Sequence, residues 1–434
     1  MLGLSCYILA DTYFIAAKLG ADGLTALNLA IPAYSVMHGI GLLIGVGGAT
    51  RFAIMKSRGE GEKADQAFTL ALAADGVLSL VFLAAGLSGS GFLAGLLGAE
   101  GRIHGLTAVY MKTLYLFAPL FLLNNTLIAF IRNDGRPGRA MAGMMCGSLF
   151  NIVMDYIFLY PLNLGMFGAA FATCASPAVS MAVMSPHFWK HQNTFHVSRN
   201  ARPGLSVRKV LPQLGNMFSL GLSALINELS SAVVLIVFNL LILNMAGNIG
   251  VAAYGVVANL ALVAFSLFNG VSQGGQPLFS EAYGTGMRAD ERRLFRYSVI
   301  LSIAMGVLMA AGAWIFTGPL VALFNQEGNL QLAEMAHQGL RLYFIGFIWC
   351  GVNIVSAAYF SAVERPGASF VLSSMRGFFC ILLFAAGLSA LWGMNGIWLS
   401  FLAAEMTTCA AAVFFCMKGR KEPAGIKKQK EFTA

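Results

Sequence analysis

Charge is what this chain has least of. Only 11% of its 434 residues are Asp, Glu, Lys or Arg, against about 25% in an average soluble domain. So few charges cannot cover a water-facing surface, which excludes a soluble globular fold. Catalytic signatures are missing too. No GxxxxGK[ST] phosphate loop is present, which disfavours a primary ATP-driven pump, and neither HExxH nor GxSxG supports a membrane enzyme. The seven cysteines (Cys6, Cys146, Cys174, Cys350, Cys380, Cys409 and Cys416) form no CxxC and no Cys/His ligand spacing. Neither a disulfide framework nor a zinc site is expected, and the thiols read as small buried residues. The start of the chain contains an acid and lacks a basic n-region, so it is not a signal peptide.

What the chain has is apolar length. Apolar residues make up 58% of it, and Tyr297–Val321 carries no charge at all. Runs of about 18 or more such residues read as membrane-spanning helices. The short alternating segments of a closed barrel are absent. Twelve apolar segments are expected, near 1–17, 25–50, 66–88, 105–131, 140–161, 166–186, 213–245, 250–280, 297–318, 338–361, 369–391 and 396–417. The predicted fold is an all-α membrane bundle of twelve transmembrane helices.

The net charge of +9 sits in short loops, where orientation bias and not nucleic acid is the ordinary explanation. Loops 51–65, 132–139, 187–212, 281–296 and 362–376, with the tail, hold 24 of the 28 Lys and Arg. Lys18, Arg102, Lys112 and Arg341 fall at the opposite end. Both termini are therefore expected in the cytoplasm, with the chain in a bacterial inner (plasma) membrane. The tail 418–434 is expected to be polar and disordered.

The sequence also repeats. Arg136-Pro137-Gly138 recurs as Arg365-Pro366-Gly367, and Gly165-Met166-Phe167-Gly168 as Gly393-Met394-Asn395-Gly396. Gly59-Glu60-Gly61 is matched with Gly284-Thr285-Gly286, and Gly20 with Gly247. Offsets of 225 to 229 predict two halves of six helices. An even number per half makes the repeats parallel. The expected units are an N-terminal lobe over 1–205, a C-terminal lobe over 206–417 and a linker near 187–212. The repeat would start the first helix about fifteen residues before Met1, so the first part of that helix is expected to be missing.

Acids inside spans are the informative minority. Each costs roughly 2.5–3.5 kcal/mol at mid-membrane and needs a partner, a cavity or a proton. The candidates are Asp11, Asp75, Asp155, Glu228 and Glu405. Asn151 and Asp155 share one helix face, being four apart. An amide oxygen beside a carboxylate suits a hard cation. Blander readings stand beside each. Asp11 could face a loop from a helix end. Asn151 and Asp155 could clamp two helices. Glu228 could be structural, since its register falls about one turn away from the outer loop.

Asp11-Thr12-Tyr13-Phe14-Ile15 with Leu19-Gly20-Ala21-Asp22 resembles the first helix and loop of the multidrug and toxic compound extrusion (MATE) transporters. Gly45-Val46-Gly47-Gly48-Ala49, Asn151 through Phe158 and Gly168-Ala169-Ala170 resemble the same family. Val251-Ala252-Ala253-Tyr254 and Asn269 through Leu278 are similar to its MepA-like branch. The resemblance implies a V-shaped pair of lobes working by alternating access. It also implies export of organic, usually cationic, compounds in exchange for Na⁺ or H⁺. The family's cation site maps to Asp11, Asn151, Asp155 and Thr173, which would be the metal ligands if Na⁺ couples. Thr173 could instead bond its own helix. Glu228, on the seventh helix where some relatives carry an acid, and Asp75, which could simply line the cavity or pair near a helix end, are weaker site candidates. Glu281 departs from the family pattern, at a helix end where water reaches it. Beyond Na⁺ no cofactor is implied. The expected partners are small organic cations or drugs and membrane lipid, with no nucleic acid, and the chain is expected to be a monomer. A lipid-linked oligosaccharide flippase is the alternative. That function favours a strongly basic central cavity, and almost no Lys or Arg lies in mid-span.

Overall fold

The computed structural model describes residues 2–198, 207–324 and 329–421. Most of the expected tail, and residues 199–206 of the expected linker, lie outside these. Among the described residues there is no strand. In chain order the helices are α1 Leu2–Ser57, α2 Gly61–Ser88, α3 Ser90–Leu96, α4 Gly101–Leu116, α5 Ala118–Asn133, α6 Pro137–Leu159, α7 Gly165–Met184 and α8 Pro186–Trp189. There follow α9 Val207–Gly284, α10 Arg288–Ile315, α11 Thr317–Phe324, α12 Leu330–Ile345, α13 Phe347–Ala362, α14 Pro366–Ser374, a π-helical turn Met375–Phe379 and α15 Cys380–Lys421.

Among the described residues seven helices are long and apolar enough to cross a membrane, and bent pairs α4–α5 and α12–α13 bring the number up to nine. Three helices are interrupted. Gly20 breaks α1 (φ 68°, ψ −158°), Gly247 breaks α9 (φ 62°, ψ −159°) and Gly393 breaks α15 (φ 57°, ψ −135°). Positive φ is open to glycine because it has no Cβ, so the sequence places its breaks with glycine.

The backbone repeats itself as the sequence does. Gly20 and Gly247 have nearly the same dihedrals. Gly165 (φ 60°) corresponds to Gly393 (φ 57°). Arg136 and Arg365 are N-caps with φ −120° and −116°, each followed by proline at the first helical position. That position needs no N–H. The α4–α5 bend of 52° recurs between α12 and α13 as 44°. One match needs correction. Gly59 (φ 77°) corresponds to Gly286 (φ 77°), not to Gly284. The sequence match GEG/GTG slipped by two residues, because the turn is set by the left-handed glycine and not by the letter pattern.

The largest apolar cluster joins residues from Ile15 to Phe195 with Met217, and the second joins residues from Phe238 to Ala404. The halves meet where the basic loops lie. A Cβ on Gly47 would sit 2.1 Å from Met217 O, and one on Gly221 would sit 1.9 Å from Leu43 O. Glycine at both positions lets the backbones of α1 and α9 touch. Polar ties surround this crossing. Arg51 Nη1 donates to Asn216 Oδ1 (2.8 Å), Gln276 Nε2 to Thr50 Oγ1 (2.6 Å) and Arg58 Nη2 to Glu364 Oε2 (2.8 Å). Ser361 Oγ also donates to Leu220 O. Glu364 occupies φ 55°, a conformation that costs a non-glycine residue roughly 1–2 kcal/mol. From there its carboxylate reaches Arg58.

Two basic residues assigned to loops from sequence are not in loops. Arg132 lies in the last turn of α5 and is buried. Arg376 lies in the π-helical turn, ten residues past the start of α14, and its side chain is 10% exposed. A census of charge counts residues between apolar runs, so it cannot register a guanidinium folded inward. Glu281 is exposed, as its position at the end of α9 suggested.

Candidate functional site

Helices α6 and α7 pack through small residues. Ser176 Oγ donates to Gly147 O (2.8 Å), and a Cβ on Gly143 would meet Ser180 O at 3.0 Å. This antiparallel register sets Asn151 against Thr173, one turn further along. Turned to satisfy both its ends, the Asn151 amide oxygen accepts from Thr173 N (3.2 Å) and Thr173 Oγ1 (3.3 Å). Its Nδ2 then donates to Asp155 Oδ2 at 3.2 Å. Orientation of an amide is assigned from its network, and only this one gives both ends partners.

The first segment of α1 supplies the fourth residue. Phe14 packs on Tyr156 and Tyr160 of the α6 end, with ring centroids 6.1 and 6.2 Å apart, and Lys18 lies 5.5 Å over the Tyr160 ring. One turn before Phe14, Asp11 comes close enough to Asp155 for the two charges to act on each other. All four side chains are buried: Asp11 is 6% exposed, Asn151 and Asp155 0%, and Thr173 5%. Asp11 Oδ1 and Asp155 Oδ1 have no hydrogen-bond partner. Two buried carboxylates with spare oxygens, beside an amide and a hydroxyl, form a cluster that can bind a hard cation or hold a proton. Desolvated like charges are costly unless something neutralises them.

The two weaker candidates stand elsewhere. Asp75 is buried on α2 beside Thr126 of α5. Glu228 lies on α9 with its stem against Gly39 of α1, at the seam between the halves. Neither belongs to the four-residue cluster. The reason is tertiary: both project from helices that pack on other faces of α1 and α5. The positions repeating Asp11 and Asp155 hold Phe238, stacked on Tyr254, and Leu383, which is 69% exposed. The cluster has no copy there.

A cavity of about 90 Å³ opens beside this cluster. Thr173 forms part of its wall, with Tyr34, His38, Asn124, Asn125, Arg132 and Gln273. Residues 1–157 and 224–385 match the family model MatE. The chain belongs to the MATE family of transporters. It is thus a transporter and not an enzyme, held in a membrane by many spans. Among curated proteins, this MATE chain is similar to the multidrug export protein MepA of Staphylococcus saprophyticus, at 25% identity over 94% of the chain and 88% of the relative. The Staphylococcus aureus MepA is 25% identical over the same shares. Among solved structures, the outward-facing form of a multidrug resistance MATE transporter superposes with a TM-score of 0.89 at 22% identity, covering 96% of this chain and 93% of that one. That likeness fixes the fold.

The MATE chain also holds a polar centre that sequence reading left open. Glu405 is 2% exposed and accepts from Arg376 Nη2 (2.8 Å) and Nε (3.2 Å) on Oε1, and from Asn353 Nδ2 (2.7 Å) on Oε2. Arg376 Nη2 also donates to Cys350 Sγ at 3.1 Å. Glu405 is therefore a paired residue that joins α13, the π-helical turn and α15. A π turn is a single-residue insertion that re-aims side chains; here it carries Arg376 inward. No apolar periodicity signals it. Arg132 could have been found: Asn125 and Arg132 are seven apart and share a face of α5, with Arg132 on the final turn. Among the described residues there is no group of three His, Cys, Asp or Glu able to hold a metal. A cation at the cluster would rely on the amide and hydroxyl oxygens as well.

Proposed function

We propose that this MATE chain is a secondary antiporter that exports amphipathic organic drugs in exchange for Na⁺ or H⁺, with Asp11, Asn151, Asp155 and Thr173 as the coupling site. One observation carries the reading: two buried acids lie near one another beside an amide and a hydroxyl, and each acid keeps an unpartnered oxygen. A cation or a proton entering there removes the repulsion between the acids. Drug arriving later can meet a site whose charge has changed. The MepA relatives are multidrug exporters by name, which supports drugs as the cargo.

Counting the two bent pairs as spans, and each interrupted helix as two segments, gives twelve spans in two lobes joined near 187–212. The basic-loop end is then cytoplasmic in a bacterial inner membrane, and the chain acts as a monomer. A flippase for a lipid-linked pyrophosphate would draw on Arg132 in the cavity wall. No second Lys or Arg lines that cavity, so the exporter is the better reading.

Dye efflux in vesicles with Na⁺ and pH gradients imposed separately tests this. One gradient should drive export, and Asp155→Asn should abolish it while the purified variant keeps its melting temperature. Undiminished export by that variant would remove the site.

A further inference from the structure

The cavity beside the coupling cluster is electrically one-sided. Arg132 is the Lys or Arg in its wall, and no Asp or Glu lines it. Arg132 is only 8% exposed. Among the described residues its side-chain partner is a neutral amide: Nη1 donates to Gln273 Oε1 at 2.5 Å, and Nε has no partner. A buried guanidinium without a counter-charge is strongly disfavoured. Elsewhere this fold pairs such groups, as Arg376 is paired with Glu405. An acid placed at Gln273 would have closed the account internally; the chain has an amide there.

The neighbours point the same way. Asn125 Nδ2 lies 3.2 Å from His38 Nδ1, and the His38 ring is stacked on Tyr34 at 5.5 Å. Asn124 on the same helix is also in the wall. Arg132 Nε and the second hydrogen of Asn125 Nδ2 are thus N–H donors left for a ligand, with an aromatic face beside them. A volume of about 90 Å³ is room for several waters, enough to seat a small charged group.

We propose that Arg132, with Asn125, forms an oxyanion subsite that takes the carboxylate of an amphipathic organic cargo. The planar guanidinium matches a carboxylate in a two-point contact, and Tyr34 and His38 offer flat faces to an adjoining ring. The cargo then carries a negative group at this end, alone or with an amine elsewhere, so it is not a simple cation. This rests on the exporter reading for the identity of the ligand as cargo.

The test uses the purified full chain and two probes: a rhodamine with a free carboxylate, and its methyl ester. Fluorescence anisotropy gives the affinity of each. The expected acid-to-ester preference is about tenfold or more, the scale of one hydrogen bond to a charged group. Arg132→Gln should bring that ratio to about one, and Arg132→Lys should restore part of it, since a point charge lacks the fork. A native ratio near one, or a ratio unchanged in Arg132→Gln, overturns the subsite. If Arg132→Gln does not purify, the lysine variant decides alone: a reduced ratio supports the subsite and a native ratio overturns it. Export from vesicles is measured separately. An intact acid preference with no export under any gradient overturns the exporter and leaves the subsite standing.

Discussion

Substituting Gly221 by alanine should hold the basic-loop end of the protein open. The Cβ would fall 1.9 Å from Leu43 O and 3.0 Å from Leu43 Cα. Both are backbone atoms of α1, which cannot rotate aside as a side chain can. Side-chain Cβ atoms essentially never approach within 3.0 Å, so α1 and α9 must part by about 1 Å. The bond from Gln276 to Thr50, now 2.6 Å, would then stretch to about 3.6 Å, beyond hydrogen-bonding range. Overpacking of this kind costs typically about 1–3 kcal/mol. At about 1.4 kcal/mol per factor of ten, 2 kcal/mol shifts the closed-to-open ratio about thirtyfold. Alternating access needs this end to close in every cycle, so transport should fall with it. The assay is cross-linking between cysteines placed by Arg58→Cys and Glu364→Cys, in a background with the native thiols replaced. The tips of those side chains, Arg58 Nη2 and Glu364 Oε2, are 2.8 Å apart in the closed end, so a bifunctional thiol cross-linker is used to span the shorter cysteines. Gly221→Ala should lower both cross-linking yield and efflux. Gly215→Ala, on the same helix with open space around it, should change neither. Native cross-linking in Gly221→Ala would show that this crossing does not limit closure.

Asp134 ties the start of the linker to the first half. It accepts from Lys56 Nζ (2.7 Å), His187 Nε2 (3.0 Å) and Thr194 N (3.0 Å), and from Thr194 Oγ1. Phe195 is thereby held against Phe68 and Phe130, centroids 4.6 and 5.6 Å apart. Burial alone would raise its pKa, but hydrogen bonds from Lys56 and Thr194 and the charge of Lys56 hold the carboxyl below the usual range. The stability from a depressed group is present above its unfolded value, about pH 4, and is lost as pH falls through the folded value. Asp134→Ala should cost about 2 kcal/mol, less than the roughly 3–5 kcal/mol of a fully buried pair because Lys56 reaches water. It should also speed proteolysis between 190 and 198 and flatten the loss of melting temperature below pH 4. Glu405→Gln leaves Arg376 buried without a counter-charge and should cost about 3–5 kcal/mol. Adding Arg376→Gln should return part of that melting temperature, and additive losses would mean that the two are not coupled.

Much of this protein could be read before folding because a membrane restricts the choices. In lipid the backbone must satisfy itself, so long apolar runs with few charges can only be helices. The repeat was legible through glycine and proline, whose backbone limits are local. Gly20 and Gly247 share one conformation, and Pro137 and Pro366 each open a helix. Asp11, Asn151 and Asp155 stood out because polar groups in spans are few.

Where Arg132 and Arg376 point was not legible. Both were assigned to loops by counting charges between apolar runs. A helix carried past its expected boundary in one case, and a π turn in the other, brought them inside. Nor could spacing separate Asp75 and Glu228 from the acids that the fold brings together, since each acid alone carries the same cost in a span.

The sequence by itself determined an α-helical, twice-repeated membrane transporter and nominated its buried acids, because helix formation, glycine breaks and the cost of a charge in lipid depend on residues and near neighbours. Tertiary structure decided which acids meet, which arginines lack a counter-charge and where the two halves touch. Those depend on distances between helices far apart in the chain, such as Leu43 against Gly221 and Arg132 against Gln273, and no local pattern carries them.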